Sequence, residues 1–280
     1  MNEFRALLIG INKYKQSPLN GCINDVLIMR DILIKKYGVP ESNIKVLLDE
    51  EVTKENFLKA FESLVYNDSP YKHFHYSGHG AQMPNSIVGS DREDDGMDEV
   101  ICPYDFDWYK NTYIVDDTID LILNHLDPKH HLSMVFDCCH SGTMHRSLYE
   151  TIPRSLEIPL DILMKSNTKK DYDLNTMFNL NKRRKNKVSG LKSRISTNHN
   201  VTIITGCKEN QTSSDVRFPD RYQGALSFML EATLLENPNI GFRELRDKCE
   251  EKLISYGFLQ TPQLICREKN QDRPFIKMSD

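Results

Sequence analysis

Short apolar, β-branched runs alternate with longer amphipathic stretches from the first residues onward, and this alternation constrains the fold more than any other feature of the chain. Ala6 to Ile11, Ile44 to Leu48, His73 to Tyr76, Glu99 to Pro103, Leu132 to Phe136, Val201 to Thr205 and Gln263 to Cys266 read as strands. Asn24 to Lys36, Thr53 to Val65, Asp117 to Leu126, Ala225 to Leu235 and Phe242 to Leu253 carry apolar residues at helical spacing, with Thr53 placed to cap its helix. Strands separated by helices run parallel and need helices on both faces, so the pattern predicts an α/β three-layer sandwich around a mostly parallel sheet. Such sheets collect their chemistry at the carboxyl ends of the strands.

The pattern breaks between residues 143 and 200. That stretch is rich in Lys, Asn and Ser and too long for an ordinary connection, which predicts one domain over residues 1–280 in three parts: 1–142, a basic linker 143–200, and 201–280. Twelve Lys or Arg against five Asp or Glu give the linker +7; with −4 overall, the remainder carries −11. A chain so acidic outside one loop is not expected to bind nucleic acid. No apolar run approaches the roughly 18 residues of a membrane span, and the opening residues pass straight into a strand. A cytoplasmic protein without a membrane anchor is expected. Its seven cysteines, odd in number and without C-x-x-C spacing, are then expected to be reduced thiols.

Two strand ends carry the candidate chemistry: His75-Tyr-Ser-Gly-His-Gly80 and Asp137-Cys-Cys-His-Ser-Gly142. A thiolate is the nucleophile of cysteine hydrolases, and an imidazole in reach takes its proton and later protonates the leaving amine. Cys139 and His79 fit these roles. Alternation of side chains along a strand pairs Asp137 with Cys139 and turns Cys138 away, so Cys138 is expected to be an ordinary buried residue. Cys207, like Cys102, Cys249 and Cys266, is read as an ordinary small residue beside regular structure. Gly80 allows close backbone approach, and its N–H with that of Cys139 is the candidate oxyanion hole.

Tyr76-Ser-Gly-His-Gly and Phe136-Asp-Cys-Cys-His-Ser-Gly together resemble the metacaspases, caspase-like cysteine peptidases of clan CD, family C14. The resemblance extends through Arg5-Ala-Leu-Leu-Ile-Gly-Ile-Asn, Leu19-Asn-Gly-Cys-Ile-Asn-Asp, Ile114-Val-Asp-Asp, Gln211-Thr-Ser-Ser-Asp and Gly224-Ala-Leu-Ser. It implies a caspase-like sandwich, a type I-like chain without a prodomain, and a monomer acting on protein or peptide substrates. It also implies cleavage after Arg or Lys, with Asp25 and Asp137 forming an acidic pocket beside Cys22 and Ser77. The physics agrees: carboxylates in a water-poor cleft meet a guanidinium well, and two of them converging on one spot call for a cation.

Activating Ca²⁺ is a further implication, through acids matching Asp98, Asp116 and Asp117. Hard carboxylate oxygens suit that ion, and Asp91, Glu93, Asp94 and Asp95 crowd the same loop. The chain departs from the family after Cys139, where no carboxylate occurs before Glu150. Zinc ligation by His130, His131, His140 or His145 with the cysteines matches none of the usual spacings. A peptidase cutting after Arg or Lys would find Arg183, Arg184, Lys185 and Lys187 in its own linker, the expected sites of self-processing from a latent form. Two competing readings are a non-catalytic calcium- or partner-binding module on the same fold, and a protease cutting after Asp. In the latter, Asp25 and Asp137 would repel the substrate.

Overall fold

A computed structural model describes residues 4–84, 87, 97–140, 149–167, 200–208 and 211–277. Its centre is a six-stranded sheet built from β1 (Phe4–Gly10), β2 (Ile44–Leu48), β3 (Tyr71–Ser77), β7 (His131–Asp137), β9 (Val201–Thr205) and β12 (Gln263–Cys266), in the order β12-β9-β7-β3-β1-β2. All neighbours run parallel except β12, which is antiparallel to β9. The mostly parallel α/β sandwich read from the sequence is therefore the architecture observed.

Side-chain alternation divides each strand between two cores. Leu7, Ile9, Phe74, Tyr76, Met134 and Phe136 point to one face, where helices α2 (Lys54–Val65) and α3 (Asp116–Leu123) cover them. Phe61 and Phe74 meet there edge to face with centroids 5.1 Å apart. Ala6, Leu8, Val135 and Ile204 point to the other, covered by α1 (Cys22–Lys35), α5 (Ala225–Glu236) and α6 (Phe242–Ser255). The Thr53 hydroxyl accepts the Asn56 N–H at 3.2 Å, capping α2 as its sequence predicts.

Two expectations need correction. The Glu99 to Pro103 run belongs to no parallel sheet: β5 (Met97–Ile101) is the middle of a small antiparallel sheet between β4 (Gly80–Pro84) and β6 (Ile114–Val115). The linker is not irregular throughout, since Thr151–Pro153 forms β8 and Leu160–Asn167 forms helix α4. β8 pairs antiparallel with β10 (Ser214–Arg217), which pairs in turn with β11 (Tyr222–Gly224). Thr and Ile favour a strand, and Pro153 is tolerated because β8 is the edge of this sheet.

Register fixes what meets at the functional end. Gly10 lies opposite Ser77, Ser77 opposite Asp137, and Phe136 opposite Thr205, so the carboxyl ends of β1, β3, β7 and β9 are level. The loops leaving them therefore begin beside one another.

Among the described residues four histidines are buried, His73, His75, His79 and His131. Burial lowers His75 and His79 to about 4, His131 to about 3, and His73 well below its usual value. They are neutral in the fold and protonated in the unfolded chain at mildly acid pH, so the stability they contribute is present above about pH 6.5 and lost as pH falls through about 4. Asp25, raised by its burial to about 7, acts oppositely, its contribution fading as pH rises through that value. With four groups against one, the urea midpoint is expected to rise between about pH 4.5 and 6.5. A flat or falling midpoint in that window would contradict the burial of these rings.

Candidate active site

Asp25 stands in the first turn of α1, Asp137 ends β7, and Asp215 lies on β10, yet their carboxylates converge in one fully buried pocket. Each is held by donors from neighbouring elements. Ser77 Oγ donates to Asp25 Oδ2 at 2.6 Å and the Gly224 N–H to Asp25 Oδ1 at 2.9 Å. Asp137 accepts from Ser213 Oγ at 2.5 Å, and from the Ser227 N–H and hydroxyl at 3.0 and 2.7 Å. Asp215 accepts the Asn20 N–H at 2.7 Å and the Gly21 N–H at 3.0 Å. A Cβ at Gly224 would strike the Asp137 carboxylate and the guanidinium described next, so the position leaves room only for hydrogen.

The cation in this pocket is the chain's own Arg154, completely buried. Its Nη2 lies 2.7 Å from Asp25 Oδ2 and 2.8 Å from Asp215 Oδ1, and its Nη1 lies 3.2 Å from Asp137 Oδ2. Nη1 also donates to Ser77 Oγ at 2.7 Å. Burial pushes the Asp25 carboxyl up to about 7, against the pull of Arg154 and with a further push from Asp137. Burial likewise opposes charge on Arg154, but Asp25, Cys22, Asp137 and Asp215 together hold it well above its ordinary value. Three carboxylates packed this closely out of water need the guanidinium; removing one partner of a buried charge network costs about 3–5 kcal/mol. Cys22 sits beside the cluster at the start of α1, its thiol pushed up by burial.

The carbonyl of the same Arg154 accepts the Gly80 N–H at 3.2 Å and the Cys139 N–H at 3.1 Å. The two groups read from the sequence as an oxyanion hole thus meet on one carbonyl oxygen. A Cβ on Gly80 would lie 2.5 Å from the Cys139 carbonyl oxygen, which explains glycine there.

His79 is buried against Tyr14, with ring centroids 4.5 Å apart, and its backbone N–H donates to Tyr14 Oη at 2.9 Å. Its Nε2 faces the Ser17 carbonyl at 2.6 Å, which assigns the ring proton to Nε2. Nδ1 is then the basic nitrogen, buried without a hydrogen-bond partner among the described residues. The sulfur expected beside it is engaged elsewhere: Cys139 is disulfide-bonded to Cys207, and the Ser213 N–H points at its sulfur from 2.6 Å. This corrects two expectations, that the thiols are all reduced and that Cys207 is an ordinary small residue. Cys207 follows β9, whose end is level with that of β7, so the loops carrying the two sulfurs adjoin. Cys138 is buried in the core as expected.

Asp98 on β5 and Asp116 at the start of α3 are buried carboxylates, brought toward one another by the β5–β6 pairing of Val100 with Val115. Their oxygen chemistry, with that of Asp117, suits Ca²⁺. Among the described residues, however, no group of three or more His, Cys, Asp or Glu is disposed to hold a metal. Asp91, Glu93, Asp94 and Asp95 lie outside the described residues, as do His145 and the expected processing sites Arg183, Arg184, Lys185 and Lys187. Sequence reasoning missed Arg154, counted only as linker charge, and Asp215, quoted within a motif but given no role. Strand-forming Thr151 and Ile152 shortly before an arginine were the available signal for the first.

A family profile described as metacaspase, peptidase C14 domain, matches residues 4–147. Metacaspase-1A of Aspergillus oryzae is 33% identical over 308 residues, spanning 94% of this chain and 67% of its own length. Metacaspase-1 of Debaryomyces hansenii is 31% identical, over 94% of this chain and 64% of its own, and Metacaspase-1A of Aspergillus terreus is 33% identical, over 94% and 70%. The chain thus spans about two thirds of the length of these curated relatives. A crystal structure of a protein from Geobacter sulfurreducens shares the fold, with a TM-score of 0.66 at 20% identity, covering 99% of this chain and 100% of that one.

A sulfur held in a disulfide cannot attack a carbonyl. Unfolded without reductant, the chain is expected to titrate the five free cysteines, and after reduction all seven. Seven before reduction would contradict the Cys139–Cys207 bond.

Proposed function

The chain belongs to the metacaspases, a family of cysteine peptidases, and we propose that once Cys139 is reduced it is an endopeptidase cutting on the carboxyl side of Arg or Lys. One observation carries this reading: an arginine whose guanidinium meets three aspartates and Ser77 has its own carbonyl on the N–H groups of Gly80 and Cys139. A side chain recognised and a bond polarised within one residue is the geometry of a scissile position.

In the proposed reaction the Cys139 sulfur attacks the carbonyl carbon while His79 Nδ1 accepts the thiol proton. The negative charge that forms on oxygen lies where Gly80 and Cys139 donate; one such donor contributes about 10²–10³ in rate. Protonated His79 then gives its proton to the leaving amine, and water hydrolyses the thioester. Asp25, Asp137 and Asp215 bind substrate and take no part in the bond change. An aspartate in that pocket would add a fourth negative charge where no cation remains, which disfavours the Asp-cutting alternative.

Calcium stimulation through Asp98, Asp116 and Asp117 belongs to the same proposal, supported by the burial of Asp98 and Asp116 and by the oxygen chemistry of all three. So do a cytoplasmic location and action as a monomer on protein substrates.

Peptides differing only in Arg, Lys or Asp before the reporter group test the reading. With reduced protein, kcat/KM for Arg is expected to exceed that for Asp by about 10⁴, because Asp leaves the buried carboxylates unpaired. Asp215→Asn should lower turnover of the Arg peptide, and Cys139→Ala should abolish it. Preference for Asp, or turnover surviving in Cys139→Ala, would overturn the assignment.

A further inference from the structure

Asp49 is a buried carboxylate that the proposed reaction does not use. Register places it: Leu48 at the end of β2 lies opposite Gly10 at the end of β1, so the first residue after β2 stands beside the chain leaving β1. Its backbone is in the left-handed region, with φ 45°, which aspartate tolerates. Its Oδ1 accepts the Asn12 N–H at 2.7 Å and the Lys13 N–H at 3.0 Å, two charge-assisted hydrogen bonds on one atom.

Asn12 carries the connection across the loop that follows. Its carbonyl accepts the Tyr14 N–H at 3.0 Å and the Leu19 N–H at 2.9 Å. Its Oδ1 accepts the Cys22 N–H at 2.9 Å, and its Nδ2 donates to the Asn20 carbonyl at 3.0 Å. Residues 12–20 are thus drawn into a closed loop, its ends joined through one asparagine and its start fixed beside β2 by one aspartate.

Both groups that hold His79 stand on this loop. Tyr14 lies against its ring and accepts its backbone N–H, and the Ser17 carbonyl faces its Nε2. Ser17 has φ 55°, a conformation that serine adopts rarely and that the surrounding structure must maintain. Tyr14 Oη donates in turn to the Cys102 carbonyl at 2.9 Å.

We infer that Asp49 and Asn12 are positioning residues for His79, closing the loop of residues 12–20 so that Ser17 keeps the ring proton on Nε2 and leaves Nδ1 basic. The inference rests on the peptidase reading above, in which Nδ1 takes the thiol proton. Neither residue takes part in bond making; they act through Ser17 and Tyr14.

Hydrogen bonding and charge can be separated here. Lys13 Nζ is exposed and 3.6 Å from Asp49 Oδ2, so this ion pair contributes little, whereas the two backbone donors need an acceptor. Asparagine at position 49 keeps an acceptor and tolerates the left-handed backbone. Glycine keeps the backbone and removes the acceptor, so the two substitutions isolate the hydrogen bonds.

The test reads the His79 ring in the full chain by 15N NMR at pH 7, where burial, which lowers its pKa to about 4, keeps it neutral. Loss of its signals in His79→Gln identifies them. The unaltered chain, Asp49→Asn and Lys13→Ala are expected to hold the ring proton on Nε2 alone. Asp49→Gly and Asn12→Ala are expected to move a measurable share of it to Nδ1. A proton retained on Nε2 in both would overturn the inference, and so would failure of both to fold, which would make their role one of stability.

With reduced protein, Asp49→Gly should also lower kcat on the Arg peptide by about 10- to 100-fold and leave KM within about twofold, because a misplacement of about 1 Å costs about 10²-fold while the Arg pocket is untouched. Asn12→Ala is left out of this comparison because Asn20 and Gly21, at the far end of the loop, also donate to Asp215. A raised KM with kcat unchanged would overturn the inference and leave the proposed function standing. An unaltered chain that is reduced yet inactive would overturn the proposed function, and the ring proton alone then decides whether Asp49 and Asn12 orient His79.

Discussion

Around one buried guanidinium, four segments of chain distant in sequence are drawn together. Asp25 comes from α1, Ser77 and Asp137 from neighbouring sheet strands, Asp215 from β10, and Arg154 from the linker. Three carboxylates in a water-free cavity are mutually repulsive, and Asp25 is already pushed toward neutrality. A cation resolves that conflict, and the geometry specifies which kind: a planar fork whose two terminal nitrogens are shared among three carboxylates and a hydroxyl. The proposed specificity for arginine is in this sense a consequence of how the pocket is stabilised.

Two features of the same structure keep the site closed. The pocket is filled by Arg154, and the sulfur proposed as the nucleophile is tied to Cys207, with His79 Nδ1 buried and without a hydrogen-bond partner among the described residues. They act on different parts of the reaction. In the proposed reaction the disulfide withholds the attacking atom, whereas Arg154 occupies the binding site. The rigid frame around the site comes from the parallel sheet, whose level strand ends fix the segments bearing His79, Gly80 and Cys139.

The sheet itself was legible from the chain because β-branched runs such as Val201 to Thr205 and amphipathic stretches such as Thr53 to Val65 differ in period, and period decides local structure. Asp25, Ser77, Asp137 and Gly80 were legible because they sit at strand and helix ends within motifs. Arg154 and Asp215 were not, since β8 and β10 are short antiparallel strands whose partners are set by tertiary contact. A segment of three residues in a polar, basic stretch carries little periodic signal. The Cys139–Cys207 bond was invisible for a related reason: 68 residues separate the two, and only the level ends of β7 and β9 make them neighbours. Composition argued for free thiols, and local geometry overrode it.

The central claim is that the pocket exists to hold a guanidinium, whoever supplies it. Titrating ethylguanidinium into Arg154→Ala by calorimetry, alongside the unaltered chain, addresses it most directly. Saturable binding to Arg154→Ala, absent in the unaltered chain and lost again when Asp215→Asn is added, is the expected result. Equal binding to both, or none to Arg154→Ala while it remains folded, would contradict it.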